Sequence, residues 1–122
     1  MSGSHRYLDV DVKDDVYCVR MRQRHLTETE IQEFTDELLS LIQDDGCRKL
    51  ILSLGPGSPD CLYSIFLGKL FAVRRRITEL GGAMKLCDVT DDVLGVFDAC
   101  NLKDFFEFAP DMETARTALV RR

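Results

Sequence analysis

The sequence predicts a single α/β domain in which a mixed sheet of about five strands is flanked by about four helices. Strand-like and helix-like stretches follow one another in the order β-β-α-β-α-β-α-β-α, and a helix between two strands is typical of parallel pairing. The 122 residues, 45% hydrophobic and 30% charged, suffice for one buried core and leave no room for a second domain. We expect the domain to span residues 7–120, after a flexible tail at 1–6.

Two strand-like segments open the domain. Residues 7–12 alternate apolar and polar side chains, and a short polar turn separates them from the strand-like run 16–21. This spacing predicts an antiparallel hairpin. Thr27 followed by Glu30 forms a capping box that predicts the start of a helix, and residues 44–46 (Asp-Asp-Gly) predict its end. The apolar stripe of this helix consists of Ile31, Phe34, Leu38, Leu41 and Ile42.

The middle of the chain predicts a strand, a break and a long helix. Residues 49–54 (KLILSL) are nearly all apolar, as expected of a central strand buried on both faces. The glycine–proline segment 55–59 interrupts regular structure, and Ser58 or Asp60 is then suited to cap a helix over 61–80. Gly81-Gly82 ends this helix. Its predicted buried face carries Leu62, Phe66, Leu70, Val73 and Ile77.

The remaining third of the chain predicts two further strand–helix pairs. Residues 83–89 restore strand alternation, and Thr90 is suited to cap a helix that runs through Cys100. A short strand at 105–108 and a closing helix at 111–120 complete the order. The side chains expected to face the core from these two helices are Val93, Val96, Phe97 and Cys100, and then Met112, Ala115 and Leu119.

Cysteine usage indicates a reducing compartment. The five cysteines are odd in number and widely spaced, with no Cys-x-x-Cys pair and no signal peptide before them. We therefore expect free thiols and a cytoplasmic protein. Cys18, Cys87 and Cys100 stand inside apolar patterns, which predicts that they are buried. No apolar run is long enough to span a bilayer, so we expect no direct membrane contact.

The charge balance argues against a nucleic-acid partner. The formal net charge is −5 and the isoelectric point is near 5.0, whereas proteins that bind the phosphate backbone rely on basic surfaces.

Motifs for catalysis or cofactor binding are weak. His5 and His25 belong to no metal-binding pattern, so we expect no metal and no cofactor. The glycines of segment 55–59 lie where a phosphate loop would stand, but no Gly-Lys-Ser/Thr follows and the prolines remove backbone donors. Ser64 lacks the Gly-x-Ser-x-Gly setting of a hydrolase. The chain is therefore predicted not to be an enzyme.

Three aspartates crowd one predicted strand-to-helix junction. Asp88, Asp91 and Asp92 could serve as acid and base or hold Mg²⁺. Helix capping and compensation of the helix dipole explain two of the three aspartates, and we favour this interpretation over a catalytic or Mg²⁺ site.

The exposed face of the helix predicted at 61–80 is unusual. Ser64, Gly68 and Ala72 recur at steps of about one turn, and small side chains let another backbone approach closely. Ile65 offers an apolar anchor beside bases that would orient an acidic partner. The alternative is an ordinary solvated surface. The predicted partner-binding residues are Asp60, Ser64, Ile65, Gly68, Lys69, Ala72, Arg75 and Arg76.

The order of elements and residues 81–108 (GGAMKLCDVTDDVLGVFDACNLKDFFEF) resemble the STAS domain, the family of bacterial anti-sigma-factor antagonists. The strand KLILSL, the helix piece LYSIFLGKL and the Gly81-Gly82 pair carry the likeness. The spacing of Val93, Phe97, Leu102 and Phe106 extends it into the last strand. The resemblance spans most of the chain.

The resemblance implies a regulatory protein-interaction module of signal transduction and transcription. Its implied partner is an anti-sigma factor or a histidine-kinase-like ATPase, which docks on the N-terminal part of the helix at 61–80. An accessory subunit of a transporter or signalling assembly is the alternative. A small nucleotide-binding protein that uses loop 55–60 is a third hypothesis, from another functional class.

The resemblance also concerns a phosphorylation switch. In the family the loop ends in Asp-Ser-Ser-Gly-Leu-Gly, and a partner kinase phosphorylates the second serine. Alignment on residues 67–68 (Leu-Gly) places Ser64 at the first serine and Ile65 at the phosphoacceptor. Ile65 cannot accept the charge that a phosphate brings. The resemblance thus implies constitutive binding, or a displaced acceptor at Ser64 or Ser58, and the apolar residue favours constitutive binding.

Overall fold

The computed structural model describes residues 5–55 and 64–120. One mixed sheet with the strand order β1-β2-β3-β4-β5 runs through the molecule. The strands are β1 (Leu8–Lys13), β2 (Val16–Met21), β3 (Lys49–Ser53), β4 (Ala83–Cys87) and β5 (Glu107–Ala109). The helices are α1 (Glu28–Gln43), α2 (Ser64–Glu79), α3 (Asp91–Ala99) and α4 (Met112–Val120), with a 3₁₀ turn at Lys103–Phe105. The predicted fold class and element order are confirmed.

The first two strands form the predicted antiparallel hairpin. Leu8 lies opposite Met21, and Lys13 lies opposite Val16. The turn between them consists of Asp14 and Asp15, whose φ angles are 53° and 65°. Two successive positive φ values are typical of the tight turns whose twist matches that of the flanking strands. The remaining neighbours, β2 with β3, β3 with β4 and β4 with β5, pair in parallel.

The start of α1 is fixed by the predicted capping box. The backbone N–H of Glu30 donates to Thr27 Oγ1 over 3.2 Å, and the backbone N–H of Thr27 donates to Glu30 Oε1 over 3.0 Å. Asp44 forms the C-cap, and Gly46 turns the chain with φ +76°. Every member of the predicted apolar stripe of α1 is buried.

The sheet is covered on both faces, as predicted for its central strand. Leu50 and Leu52 of β3 belong to the main core, to which α1, α2 and α3 contribute. Ile51 points to the other face, where Ala115 and Leu119 of α4 form a second cluster. Among the described residues, no helix is both long enough and apolar enough to cross a membrane.

The predicted core position of Cys100 is wrong. Val93 and Phe97 of α3 are buried and Val96 is half-buried, but Cys100 is exposed. The helix ends there because Asn101 takes a φ of +58°, after which the Leu102 N–H donates to the Phe97 carbonyl over 2.9 Å.

The last strand begins later than the predicted 105–108. The chain forms a 3₁₀ turn that leaves Phe105 46% exposed, and β5 starts at Glu107. The reason lies in the core, where the Phe97 ring contacts those of Phe106 and Phe108 edge to face at 5.3 and 5.4 Å. These contacts fix which phenylalanines point inward.

Candidate docking surface

Helix α2 buries the face that its periodicity predicts. Phe66, Leu70, Val73 and Ile77 are each fully buried, and the adjacent Leu67 joins them. The other predicted member of this face, Leu62, lies outside the described residues, as do the predicted caps Ser58 and Asp60. With this phase, the opposite side of α2 points away from the sheet.

The outward side of α2 forms a ridge of small side chains that ends in an arginine. We call Ser64, Gly68, Ala72 and Arg75 the α2 ridge, and all of these residues are exposed. No atom lies within 4 Å of the position that a Cβ on Gly68 would occupy. The backbone at this point is therefore open to close approach. Ile65, in the first turn beside the ridge, is 40% exposed.

The same side of α2 is basic, although the whole chain carries a net charge of −5. The helix holds four bases and one acid, so its own formal charge is +3. Glu79 lies 3.4 Å from Arg75 Nε and 3.7 Å from Arg76 Nη1. These ion pairs are exposed, and such pairs contribute little to stability. The two arginines can therefore turn to an acidic partner at small cost.

A groove separates the N-terminal turns of α1 and α2. Ile65 and half-buried Lys69 line it from α2, and Glu28, Thr29 and Gln32 line it from α1. Its volume is about 590 Å³. Docking was predicted from the sequence on one helix only, whereas in the folded chain residues of α1 line the same groove.

An aromatic pair lies beside the α2 ridge and was not predicted from the sequence. The rings of Phe71 and Phe105 meet edge to face with centroids 5.4 Å apart. Phe105 is 46% exposed, and large exposed apolar side chains beside a docking face are typical anchors. The sequence did contain one indication of this pair, because Phe71 is a large apolar residue outside the predicted buried face of α2.

The segment that leads into α2 starts from a fixed point at the end of β3. Ser53 is buried, and its Oγ donates to Asp88 Oδ2 over 2.6 Å. The Gly55 N–H donates to Ser53 Oγ over 3.3 Å. A Cβ on Gly55 would stand 2.8 Å from the Asp88 Cβ, so only glycine fits there without a shift. Asp88 itself has a φ of +57°.

The three clustered aspartates have different roles in the structure. Asp91 and Asp92 lie in the first turn of α3, and Thr90 Oγ1 accepts a hydrogen bond from the Val93 N–H over 3.3 Å. This arrangement agrees with the capping interpretation. Asp88 instead bonds Ser53. In the described part of the chain, no group of three or more His, Cys, Asp or Glu residues could hold a metal ion.

The family model of the STAS domain matches residues 7–115. The chain belongs to the STAS domain family.

Solved structures of anti-sigma factor antagonists share the fold at low sequence identity. A putative anti-sigma factor antagonist from Thermotoga maritima is 20% identical, with a TM-score of 0.78 over 94% of this chain and 95% of that one. An anti-sigma-factor antagonist (STAS) domain protein from Planctomyces limnophilus is 21% identical, with a TM-score of 0.78 over 92% and 97%. Phosphorylated SpoIIAA, a Bacillus cell fate determinant, is 13% identical, with a TM-score of 0.67 over 91% and 98%.

Ser64 and Ile65, which the resemblance to the STAS pattern implies at the serine pair, lie at the N-terminal end of the described part of α2. Both side chains are exposed.

Proposed function

We propose that this STAS domain is a non-enzymatic, cytoplasmic regulatory module of a bacterial cell that binds a protein partner through the α2 ridge and Ile65. One observation carries the proposal, namely that α2 exposes an apolar anchor beside an open glycine and several bases. A partner backbone can approach Gly68 closely while an apolar pocket of the partner takes Ile65. Phe71 and Phe105 extend the apolar contact along the helix.

The proposed partner is an anti-sigma factor or a histidine-kinase-like ATPase. Membership of the STAS family and the fold shared with anti-sigma factor antagonists support this class. The charge of α2 adds a physical requirement, because Lys69, Arg75 and Arg76 favour a partner whose matching surface is acidic. Asp60, one of the predicted docking residues, is also proposed to contact the partner.

Binding is proposed to be constitutive. A phosphate on the docking face would add nearly two negative charges and oppose an acidic partner. Ile65 has no hydroxyl to accept a phosphate, and its apolar side chain suits a permanent contact. Ser64, which is exposed at the start of α2, is the displaced acceptor to test, together with Ser58.

The decisive experiment is affinity purification of the tagged protein from its native cells, with bound proteins identified by mass spectrometry. Ile65→Asp should abolish capture of an ATPase-type regulator and leave the thermal unfolding midpoint nearly unchanged, because the side chain is exposed. Val12→Asp is the matched control, since Val12 is 43% exposed on β1 and the charge change is the same. The control should capture the partner normally.

Other outcomes would contradict the proposal. Equal capture by Ile65→Asp and wild type would place docking elsewhere. Capture of membrane ATPase subunits would favour an accessory subunit of a transporter. Saturable heat in a calorimetric titration with ATP or GTP would favour a nucleotide-binding protein.

The phosphorylation state can be measured separately. Incubation with the captured ATPase and Mg·ATP should leave the intact mass unchanged if binding is constitutive. A phosphoryl group that appears on the wild type and is absent from Ser64→Ala would identify Ser64 as a displaced acceptor. In that case the switch persists and constitutive binding is wrong.

A further inference from the structure

Two neighbouring helices on one face of the sheet carry opposite charges. Helix α1 holds five acidic residues and no base, whereas the formal charge of α2 is +3. The two helices pack side by side over the sheet. Residues from the N-terminal turns of both line one groove, and residues from the C-terminal turns of both line another. The helices therefore run in the same direction.

The acidic residues of α1 fall into two groups. Glu30, Glu33 and Glu37 are engaged within the chain, by the capping box, by the Tyr7 hydroxyl, and by the backbone N–H groups of residues 6 and 7. Glu28 and Asp36 are exposed, and Asp36 accepts a hydrogen bond from Gln32 Nε2 over 2.9 Å. Glu28 lines the groove shared with α2, so a carboxylate is available beside the basic helix.

Apolar side chains occur at both ends of the line where α1 and α2 meet, which we call the seam. Ile65 is 40% exposed at one end. Half-buried Leu39 and exposed Ala72 line the second groove, of about 410 Å³, at the other end, where Arg75 and Arg76 add positive charge. The α1–α2 face thus combines an apolar seam, an acidic side and a basic side.

Such a face is complementary to itself under one particular symmetry. One possible two-fold axis lies above the seam and runs parallel to the helices. It places α1 of one copy over α2 of the other, so that acidic residues face basic ones. A two-fold axis across the helices would place α1 over α1 and α2 over α2, bringing like charges together. Electrostatic complementarity favours the first arrangement.

We propose that a second copy of this STAS domain packs on the α1–α2 face, with α1 of each copy over α2 of the other in the same direction. Helices of this length span about 24 Å, and two of them are about 20 Å wide. The contact therefore buries about 1,000 Å² over both copies, at the lower end of specific interfaces. The dimer is weak and depends on concentration and salt.

This inference goes beyond the proposed function and does not require it. It has a consequence for that function, because the second copy covers the α2 ridge and Ile65. A second copy and a regulatory partner therefore exclude each other on this surface.

Sedimentation velocity over a wide concentration range tests the dimer with the purified protein alone. The wild type should show a monomer–dimer equilibrium that shifts to monomer in high salt. Lys69→Glu and Glu28→Lys should each raise the dimer dissociation constant about tenfold, since each replaces two symmetric attractions by repulsions. Lys13→Glu, which makes the same charge change on exposed β1, should leave the dimer unchanged.

Mixing the two variants provides a sharper test. The Lys69→Glu variant has an acidic residue at both position 28 and position 69, and the Glu28→Lys variant has a basic residue at both. Two copies of the same variant therefore repel each other. An equimolar mixture restores acid opposite base at both contacts and should associate as tightly as the wild type. If Glu28→Lys lowers the thermal unfolding midpoint, the dimer dissociation constant of Lys69→Glu alone decides.

The arrangement can be checked by carbodiimide coupling of isotope-labelled and unlabelled copies. The expected product joins Lys69 of one copy to Glu28 of the other. A monomer at every concentration, or a dimer that neither charge variant weakens, would overturn the inference. The proposed function is tested by a different result, because capture of the partner by the Ile65→Asp variant would contradict it whether or not the dimer forms.

Discussion

Burial sorts the described cysteines into protected and exposed thiols. Cys47 and Cys87 are fully buried and Cys18 is 5% exposed, whereas Cys100 is exposed at the end of α3. Burial raises the pKa of the Cys47 thiol to about 12, and burial together with the neighbouring Asp88 carboxylate raises that of the Cys87 thiol to about 12. Because the thiolate is the reactive form, these two thiols are inert at neutral pH.

Alkylation of the folded protein with iodoacetamide, followed by peptide mapping, should therefore modify Cys100 and spare Cys47 and Cys87. All three should react in denaturant, which serves as the control. Labelling of folded Cys87 as fast as Cys100 would show that the end of β4 is open to solvent.

Two glycines should respond in opposite ways to alanine. A Cβ on Gly82 would stand 2.4 Å from the Arg48 carbonyl oxygen, which accepts the Ala83 N–H over 2.8 Å. Gly82→Ala should lower the free energy of unfolding by about 2–3 kcal/mol, because backbone must move. Gly68→Ala has open space in the middle of α2 and should raise it by about 0.5–1 kcal/mol. Urea titrations would measure both, and equal effects would contradict the packing described at Gly82.

At the scale of the element, the capping box couples the stability of α1 to pH. The backbone N–H of Thr27 lowers the pKa of Glu30 below its ordinary value of 4.5. A carboxylate whose pKa is lowered by folding stabilises the folded state above its unfolded pKa. This stabilisation is lost as the pH falls through the folded pKa.

Glu30→Gln should therefore destabilise the protein at neutral pH and have a smaller effect in acid. Urea unfolding of wild type and variant at neutral pH and below the folded pKa of Glu30 would measure the difference. A difference that stays constant across this range would show that the Glu30 carboxylate does not stabilise the cap through its charge.

Elements set by local chemistry could be predicted from the sequence. The capping box of α1, the turn of the β1–β2 hairpin and the buried face of α2 each depend on residues close together in the chain. The end of α3 and the start of β5 could not be predicted in this way. The run Phe105-Phe106-Glu107-Phe108 allows more than one register, and contacts with the distant Phe97 ring select which side chains turn inward.

At the scale of the whole molecule, the candidate surface combines residues that the sequence keeps apart. The outward side of α2 could be predicted from one helix, but the groove with α1 and the Phe71–Phe105 pair require the folded sheet. The same is true of the Ser53–Asp88 hydrogen bond, whose residues are 35 positions apart in the chain. The periodicity of apolar residues along one element cannot predict contacts between residues that are far apart in the chain.

The two faces of the sheet differ in what they offer a partner. The α1–α2 face combines the α2 ridge, Ile65 and a groove, whereas α4 lies on the opposite face with its own small cluster. A partner that docks on α2 therefore leaves α4 free, and α4 serves as an internal reference.

Hydrogen exchange of the STAS domain with and without its captured partner, at a concentration where the free protein is monomeric, tests the docking surface most directly. We predict slower exchange in α2, from Ser64 to Glu79, and in the N-terminal turn of α1, with exchange in α4 unchanged. Protection confined to α4 or to the β1–β2 hairpin, with α2 unaffected, would contradict the account.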